Sequence, residues 1–332
     1  MESQVLGDSL VVTTDRTCEG QVLKEFLSDQ LRLPEGFVAE ILREKRVTMG
    51  RHSIDGSHVL HAGERVRFAG GVIEDAGEGL SDYALDHPLN VLYEDHHVLV
   101  VNKPRGLLVH PGSPLDVDTL AHRVAAHYRA EGTLRKVRHA HRLDKDTTGA
   151  ILYAKHAYSA RTFDTMIAQH EIARTYVAMV EGVPNPPLGL IDASIGRDRH
   201  VSGKYRVSPT GKTARTHYRT IASTVRNGRT FALIACRLET GRTHQIRVHL
   251  AHLGTPIVGD PLYRSGHGAL GPFSWGEGYA LHAASISFWH PYEGTRLDIT
   301  APFDEQFLTR SKSLGFGVSF DNEFLRSTMD PV

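Results

Sequence analysis

The chain has 332 residues, of which 40% are hydrophobic, and none of its apolar runs approaches the ~18 residues that span a membrane. Its 38 lysine and arginine side chains balance its 38 aspartate and glutamate side chains, so the net charge by itself does not indicate a nucleic-acid partner. The two cysteines, Cys18 and Cys236, lie far apart in the sequence, which argues against a disulfide framework and against a cysteine metal site. We expect a soluble, cytoplasmic protein without an export signal or a membrane partner.

The charges divide unevenly along the chain. Residues 1–75 carry 9 basic and 13 acidic side chains, which leaves 29 basic and 25 acidic ones in residues 76–332. The second part of the chain is therefore the better candidate for contact with a polyanion.

Two short helices and a hairpin are predicted in the first 75 residues. Residues 21–31 place apolar side chains on one helical stripe, and residues 37–43 repeat that pattern. Residues 46–49 and 64–68 alternate in polarity as strands do, with glycine turns between them. A basic cluster lies around the end of the second helix and the hairpin: Arg43, Lys45, Arg46 and Arg51. These side chains would either bind phosphate or be solvated at a helix C-terminus, where the helix dipole favours cations.

A boundary and a new set of elements follow. Residues 70–88 contain glycines and acidic residues without an apolar period, which indicates a linker. Residues 90–103 predict two strands joined by a turn that contains two histidines, which we interpret as solvated rather than as metal ligands. A second turn leads into an extended segment at 107–110, and residues 118–129 predict a helix that serves as scaffold.

The next segment joins a charged loop to an apolar strand. The sequence from His139 reads His-Ala-His-Arg-Leu-Asp-Lys-Asp-Thr-Thr-Gly and continues into a strand at 150–154. The end of a strand can hold a reactive side chain rigidly in a cleft, which makes Asp144 the candidate for the centre of a site. A turn in which this carboxylate caps nearby amides is the alternative.

Three later segments add candidate residues. A helix at 158–167 precedes a strand at 172–182, in which Arg174 and Tyr176 share one face. Residues 197–219 hold seven basic side chains against Asp198 alone, and their glycines and proline predict loops suited to a phosphate backbone. After a strand at 231–240, Gly-Arg-Thr-His-Gln-Ile-Arg-Val-His begins a short helix with Arg247 on it. Helix packing explains its histidines better than a metal does.

Three of these motifs resemble the RluA-type pseudouridine synthases. The family pattern His-Arg-Leu-Asp-x-x-Thr-Ser-Gly matches residues 141–149, with Thr148 in place of Ser. The basic residue two before Tyr176 resembles the second motif, and residues 241–249 reproduce the third without a departure. The resemblance extends over about residues 90–303, while the helix–helix–hairpin order of the first part resembles the S4 RNA-binding module.

The resemblance implies an α+β fold with a mixed, mostly antiparallel sheet of the pseudouridine synthase type, preceded by a small α/β S4-like domain. We divide the chain into that domain at 1–75, a linker at 76–89, a catalytic domain at 90–310 and a flexible tail at 311–332. The resemblance further implies Asp144 as the catalytic residue, Tyr176 as the active-site tyrosine and Arg247 as the partner of the aspartate. Arg142 would fill the gap left by a flipped nucleotide.

The implied activity is the isomerisation of chosen uridines in structured RNA to pseudouridine by a monomer, without a cofactor or a metal. Large-subunit ribosomal RNA is the commonest substrate of this architecture, and transfer RNA is the alternative. The RNA-binding candidates are Arg142, Arg43, Lys45, Arg46, Arg199, Lys204 and Arg206. Two rivals stay open: a catalytically silent RNA-binding or ribosome-assembly factor, and a glycoside hydrolase that would use Asp146 as its second carboxylate.

Overall fold

The computed structural model describes residues 1–72, 87–133, 135–264, 278–321, 323–324 and 326. Most of the predicted linker, 76–89, lies outside the described residues. None of the described helices is long and apolar enough to span a membrane.

The first part of the chain forms a five-stranded antiparallel sheet with two helices between its second and third strands. Its elements are β1 (Glu2–Leu6), β2 (Ser9–Thr13), α1 (Leu23–Glu25) continued by a π-helical turn (Phe26–Gln30), α2 (Glu35–Arg43), β3 (Val47–Met49), β4 (His52–Ser53) and β5 (Arg65–Ala69). The strand order is β1-β2-β5-β3-β4. The two predicted hairpin strands do pair, with Val47 opposite Phe68, whereas the sequence analysis did not predict β1 and β2. The S4-like identity of this part stays a prediction.

The rest of the chain is built around a ten-stranded sheet. Its elements are β6 (Val91–Glu94), β7 (Val98–Lys103), α3 (Leu120–Ala130), β8 (Arg138–His139), β9 (Thr148–Ala154), α4 (Ala157–Ala168), β10 (Ala173–Glu181), β11 (Leu188–Asp192), β12 (Ile195–Arg197), β13 (Tyr205–Val207), β14 (Arg215–Arg226), β15 (Arg229–Leu238), α5 (Gln245–His252), β16 (Leu281–Trp289), β17 (Arg296–Thr300) and α6 (Glu305–Leu314). The main strand order is β11-β14-β15-β10-β16-β9-β7-β6, while β17 pairs with β16 and β8 with β9.

The predicted mixed, mostly antiparallel sheet is confirmed. Among the described strands the parallel pair is β9 with β16, in which Gly149 lies opposite Ala283. Gly149 has φ +107°, and a Cβ atom there would lie 2.2 Å from the Ala283 carbonyl oxygen. Only glycine allows this close approach of two backbones, and it fixes the strand that follows the Asp144 loop.

The N-terminal part shares an apolar core with the catalytic part. Tyr158 of α4 and Tyr292, both fully buried, pack among the core side chains of the N-terminal sheet. The Thr162 hydroxyl donates to the Leu31 carbonyl at 2.7 Å, and the Arg46 guanidinium donates to the Tyr158 hydroxyl at 3.0 Å. The two parts are therefore joined by buried contacts as well as by the chain.

Two predicted segments have a different structure. Residues 107–110 do not form a strand, because the carbonyls of Leu108 and Val109 accept hydrogen bonds from the first amides of α3 instead of from a neighbouring strand. The window 197–219 is not composed of loops alone, since β12 and β13 form a two-stranded hairpin and β14 begins at Arg215.

The predicted flexible tail, 311–332, is corrected in its first half. Helix α6 continues to Leu314, which is fully buried, and Phe316 is 7% exposed. Phe320 packs against Phe303 with ring centroids 5.0 Å apart, and Phe324 also contacts this core. Phe320 and Phe324 form one aromatic cluster with Phe303 and Phe307, because the chain turns back onto the sheet.

Candidate active site

The loop between β8 and β9 forms one wall of a cleft of about 1080 Å³. The cleft is lined by all three predicted catalytic residues, Asp144, Tyr176 and Arg247, and by Arg142. The sequence analysis placed Asp144 in a loop before a strand, Tyr176 within a later strand and Arg247 on a short helix. Asp144 and Arg247 are 103 residues apart, and the fold brings all three side chains to one cavity.

Buried cations beneath this loop fix its backbone. The Lys103 ammonium, at the end of β7, donates to the carbonyls of Lys145, Leu107 and Pro104 at 2.7, 2.8 and 2.9 Å. Burial lowers the pKa of Lys103 to about 7, although Asp146 and Asp144 oppose this shift. Arg105 donates to the Asp146 carbonyl at 3.1 Å. These bonds hold the segment that carries Asp144 without using its side chain.

Arg247 connects two carboxylates of different character. Its Nη1 donates to Asp144 Oδ2 at 3.1 Å, while its Nε and Nη2 donate to the two oxygens of Asp260 at 2.7 and 3.0 Å. Asp260 is fully buried, and the Asp144 side chain is 25% exposed. Burial by itself lowers the pKa of Arg247, but the hydrogen bonds to Asp260 and the nearby negative charges raise it above its ordinary value. The guanidinium therefore stays charged beside Asp144.

Two more groups lie against the Asp144 carboxylate. The Tyr279 hydroxyl donates to Oδ2 at 3.2 Å, and the Arg247 guanidinium lies 4.2 Å from the centre of the Tyr279 ring. Burial, followed by the charge of Asp144, raises the pKa of Tyr279 well above its ordinary value, so this tyrosine remains a donor. His244 Nε2 lies 3.9 Å from the same oxygen, and burial lowers the pKa of His244.

Tyr176 lies in the wall of the cleft on β10. It is 4% exposed, and burial followed by a smaller contribution from Asp144 raises its pKa, although Arg174 opposes the shift. Its hydroxyl therefore stays protonated, and the part of the side chain that lines the cleft can contact a flat apolar ligand. Arg142 lines the cleft and is exposed to solvent, so its side chain is free to contact a bound ligand.

The predicted RNA-binding residues divide into two places. Arg199, Lys204 and Arg206 belong to the β12–β13 hairpin, whose Tyr205 amide donates to the Tyr263 hydroxyl at 3.0 Å. The Tyr205 ring also contacts His244, with centroids 5.5 Å apart, so the hairpin adjoins the cleft.

The N-terminal candidates have a different environment. Arg43 and Lys45 are exposed at the end of α2. The Arg46 guanidinium donates to the Ala69 carbonyl at 2.9 Å and to Tyr158, which makes it a contact between the two parts of the protein. Arg46 is thus not a free phosphate ligand in this structure.

The sequence analysis missed Asp260 and Tyr279 as site residues, and it interpreted His244 as a packing residue of the helix rather than as a metal ligand. The available signal for Asp260 was an aspartate between Gly259 and Pro261 in an otherwise apolar segment. No sequence period connects that turn, or Tyr279 at the start of the last long strand, with the Asp144 loop. Both residues become recognisable only when the fold brings three loops together.

The cleft itself does not contain a group of side chains arranged as metal ligands among the described residues. Glu94, His127 and Glu131 form such a group elsewhere, with their ligand atoms within 4.8 Å of one another. Glu94 already accepts from the Lys155 ammonium at 2.5 Å and contacts His127 Nε2 at 2.8 Å. An ammonium and a histidine thus already provide partners for this carboxylate.

Comparison with known proteins identifies the family. A family model described as RNA pseudouridylate synthase matches residues 97–252, which include Asp144, Tyr176 and Arg247. A Bacillus subtilis protein named "Uncharacterized RNA pseudouridine synthase YhcT" is 36% identical over 303 residues, which cover 90% of this chain and 94% of that protein. The chain belongs to the RNA pseudouridine synthases. The synthase is an isomerase of the RluA-type family, as its three motifs predicted.

Two further similarities describe this synthase. A Pseudomonas aeruginosa protein named "Ribosomal large subunit pseudouridine synthase D" is 35% identical over 274 residues, 78% of this chain and 82% of that protein. The solved structure of human RNA pseudouridylate synthase domain containing 4 has a TM-score of 0.56 and 24% identity, and the match covers 70% of this synthase and 94% of that chain. The structural match supports the α+β fold of the catalytic part.

Proposed function

We propose that this synthase isomerises uridines in large-subunit ribosomal RNA and that Asp144 is its catalytic carboxylate. The substrate is supported by the name of the Pseudomonas relative. One observation carries the catalytic assignment: Arg247 and Tyr279 both bind Oδ2 of Asp144, while Oδ1 has no hydrogen-bond partner among the described residues. A carboxylate held by one oxygen and open at the other is suited to act on a substrate in the cleft.

The chemistry requires an ionised carboxylate. The reaction breaks the N1–C1′ bond, turns the uracil and joins C5 to C1′. Asp144 either attacks C1′ or removes a proton from the sugar, and each route begins from the anion. The Arg247 guanidinium is in contact with this carboxylate and supplies its counter-charge.

Substrate access depends on nucleotide flipping. A uridine inside an RNA helix hides C1′ and C5 from a protein side chain, so the nucleotide leaves the helix at a cost of a few kcal/mol. Arg142, exposed at the cleft, fills the space that the base leaves. Tyr176 stacks on the uracil, and its protonated hydroxyl lies near the place where the C5 proton departs.

We also propose that the synthase acts as a monomer in the cytoplasm. The monomer is supported by a cleft whose proposed catalytic residues all come from one chain. The compartment is supported by the two cysteines, which are both free and buried.

The experiment compares wild-type protein with Asp144→Asn on an in vitro transcript of large-subunit ribosomal RNA. We expect the variant to melt and to bind RNA nearly as wild type does, and to form no pseudouridine, because the amide keeps the shape and loses the charge. Residual turnover above a small fraction of wild type, in a preparation checked for deamidation, would contradict the catalytic role.

The substrate and the reaction type need separate measurements. Pseudouridine mapping in cells with and without the protein should show lost sites in large-subunit ribosomal RNA, whereas losses confined to transfer RNA would replace that substrate. Assaying free uracil tests the hydrolase rival: an isomerase releases none, and Asp146→Asn should not change this result.

A further inference from the structure

Arg174 is a buried guanidinium without a protein anion. The residue is 5% exposed on β10, and its Nε is closed off from solvent without a hydrogen-bond partner. No hydrogen bond or ion pair joins its side chain to another described residue. The side chain nevertheless lines the active-site cleft, two residues before Tyr176 on the same strand. A buried cation is costly unless it is paired, so this arrangement indicates a ligand that supplies the missing anion.

The residues of the cleft wall around Arg174 neither cover its guanidinium nor pair with it. A Cβ atom at Gly241 would lie 3.4 Å from Arg174 Nη1, so a longer side chain there would crowd the guanidinium. The glutamate that lines this cleft, Glu239, already binds Arg215 Nη1 and His217 Nε2, each at 2.6 Å. Glu239 is therefore engaged with other side chains and does not pair with Arg174.

A second, smaller cleft adjoins the active-site cleft. It measures about 250 Å³ and shares His170, Leu238 and Glu239 with the larger cleft. Arg237 lines it on β15, and this side chain makes no hydrogen bond or ion pair to another described residue. Arg237 lies directly opposite Thr175 in the β10–β15 pair, so its side chain leaves the sheet on the face opposite to that of Arg174. Arg174 is therefore the guanidinium that serves the larger cleft.

We propose that Arg174 binds a phosphate of the RNA strand beside the flipped uridine. The proposal rests on the RNA substrate and the flipped nucleotide proposed above. A guanidinium can donate to two phosphate oxygens at once, which matches the geometry of a phosphodiester. The larger cleft has several times the volume of a uracil ring, so the strand on either side of the base can enter with it.

The test uses the inactive Asp144→Asn protein as background and a nine-nucleotide oligouridylate as the probe. We expect Arg174→Gln to weaken binding of this RNA by about ten- to a hundredfold, as the loss of a charge-assisted contact does. The slope of log affinity against log salt should fall by about 0.7, the value for one phosphate of a single strand. Arg226→Gln, at the exposed far end of β14, is the matched control and should change neither quantity.

A chemical change in the RNA makes the assignment independent of the protein variant. Replacing the central phosphodiesters of the probe by uncharged methylphosphonates should weaken binding to the protein that retains Arg174. The same replacement should have a smaller effect on the Arg174→Gln protein, because the contact is already absent. Equal losses in both proteins would overturn the phosphate assignment.

The stability of the free protein separates a ligand-binding role from a structural one. Since the guanidinium is unpaired without RNA, Arg174→Gln should melt at the same temperature as its parent or higher. A lower melting temperature or a failure to fold would show that Arg174 stabilises the protein, and the proposal would then be wrong. A third outcome is that Arg174→Gln leaves affinity and salt slope unchanged in the Asp144→Asn protein and still abolishes turnover in the protein that retains Asp144. That result would overturn the phosphate assignment and assign Arg174 to the uracil instead. Activity retained by Asp144→Asn would contradict the catalytic proposal alone, because the salt slope does not depend on turnover.

Discussion

At the scale of single residues, Arg247 binds two carboxylates, Asp260 and Asp144, of which the sequence predicted only Asp144. Two of its nitrogens bind the fully buried Asp260, and a third binds the partly exposed Asp144. Asp260 in turn accepts from the amides of Leu262 and Tyr263, at 2.9 and 3.3 Å. The buried pair fixes the guanidinium, and the fixed guanidinium then presents one nitrogen to the carboxylate in the cleft.

Arg247→Met should therefore lower both stability and turnover. We expect the free energy of unfolding to fall by about 3–5 kcal/mol, since Asp260 would remain as a buried charge without its cation. Urea denaturation measures this loss, and the double variant Arg247→Met/Asp260→Asn should recover part of the stability and none of the activity. A single variant with normal melting would show that Asp260 finds its counter-charge elsewhere.

The sequence predicted the pairing of Asp144 with Arg247 but not the residues that support this pair. Asp144 and Arg247 each lie in a motif that resembles a family pattern, and the distance between them, 3.1 Å, agrees with the predicted pairing. Asp260 and Tyr279 come from separate turns, and their contacts arise from three-dimensional packing that no local spacing encodes. Tyr176 was predicted as the active-site tyrosine, yet the hydroxyl bonded to Asp144 belongs to Tyr279.

At the scale of elements, the Asp144 loop depends on the end of β7. Lys103 is fully buried, and its ammonium donates to three carbonyls. One of these carbonyls, that of Lys145, belongs to the Asp144 loop. The loop lacks regular structure, so these bonds replace the ladder that would fix a strand.

Lys103→Met should release this loop and reduce catalysis more than binding. Small displacements of a reacting group are costly, and we expect the single-turnover rate to fall by about a hundredfold while RNA affinity changes little. Rapid-quench assays and equilibrium binding measure the two quantities, with Lys136→Met on an exposed lysine as the control. Equal losses of rate and affinity would argue for a general defect in folding.

Helices and strands were predicted correctly where a regular pattern of apolar residues extends over several residues. The strands at 150–154 and 172–182 and the helix at 158–167 correspond to β9, β10 and α4. The prediction failed at β1 and β2, and in the tail, where Phe316, Phe320 and Phe324 recur at every fourth residue but no packed segment was predicted. Burial of Phe307 and Phe316 comes from contact with the sheet, which the local sequence does not report.

At the scale of the whole molecule, buried histidines couple stability to pH. Burial lowers the pKa of His97 and of His141 to about 3 and that of His282 to about 4, and it also lowers the pKa of His156. In the unfolded chain each histidine titrates near ~6.5. Between these values the unfolded state binds protons that the native state does not. The contribution of these histidines to the free energy of unfolding is therefore fully present above about pH 6.5 and is lost as the pH falls.

We expect the free energy of unfolding to decrease from pH 7 to pH 4.5, by up to about 1.4 kcal/mol per pH unit for each such histidine. Urea titrations at several pH values measure the slope. His282→Asn should reduce the slope by about one proton, whereas His52→Gln, on an exposed strand, should leave it unchanged. A flat profile would show that these rings take up protons in the folded state.

The last prediction concerns which part of the whole molecule anchors RNA. Removing residues 1–75 would expose Tyr158 and Tyr292, so a deletion would confuse lost binding with lost folding. Charge variants of the intact chain avoid this problem. Arg199, Lys204 and Arg206 lie on the hairpin beside the cleft, whereas Arg43 and Lys45 are two exposed cations at the end of α2 in the N-terminal part.

Replacing the three hairpin cations by glutamine should lower the slope of log affinity against log salt by about two to three units if all three contact phosphates. Arg43→Gln/Lys45→Gln should lower it by less than one unit, because the N-terminal part is acidic overall and its Arg46 is engaged in an internal contact. Both variants should lose affinity uniformly across RNA sequences, since phosphate contacts carry no sequence information. If the N-terminal pair removed the larger part of the slope, that part would be the main anchor, and the argument from charge distribution would be wrong.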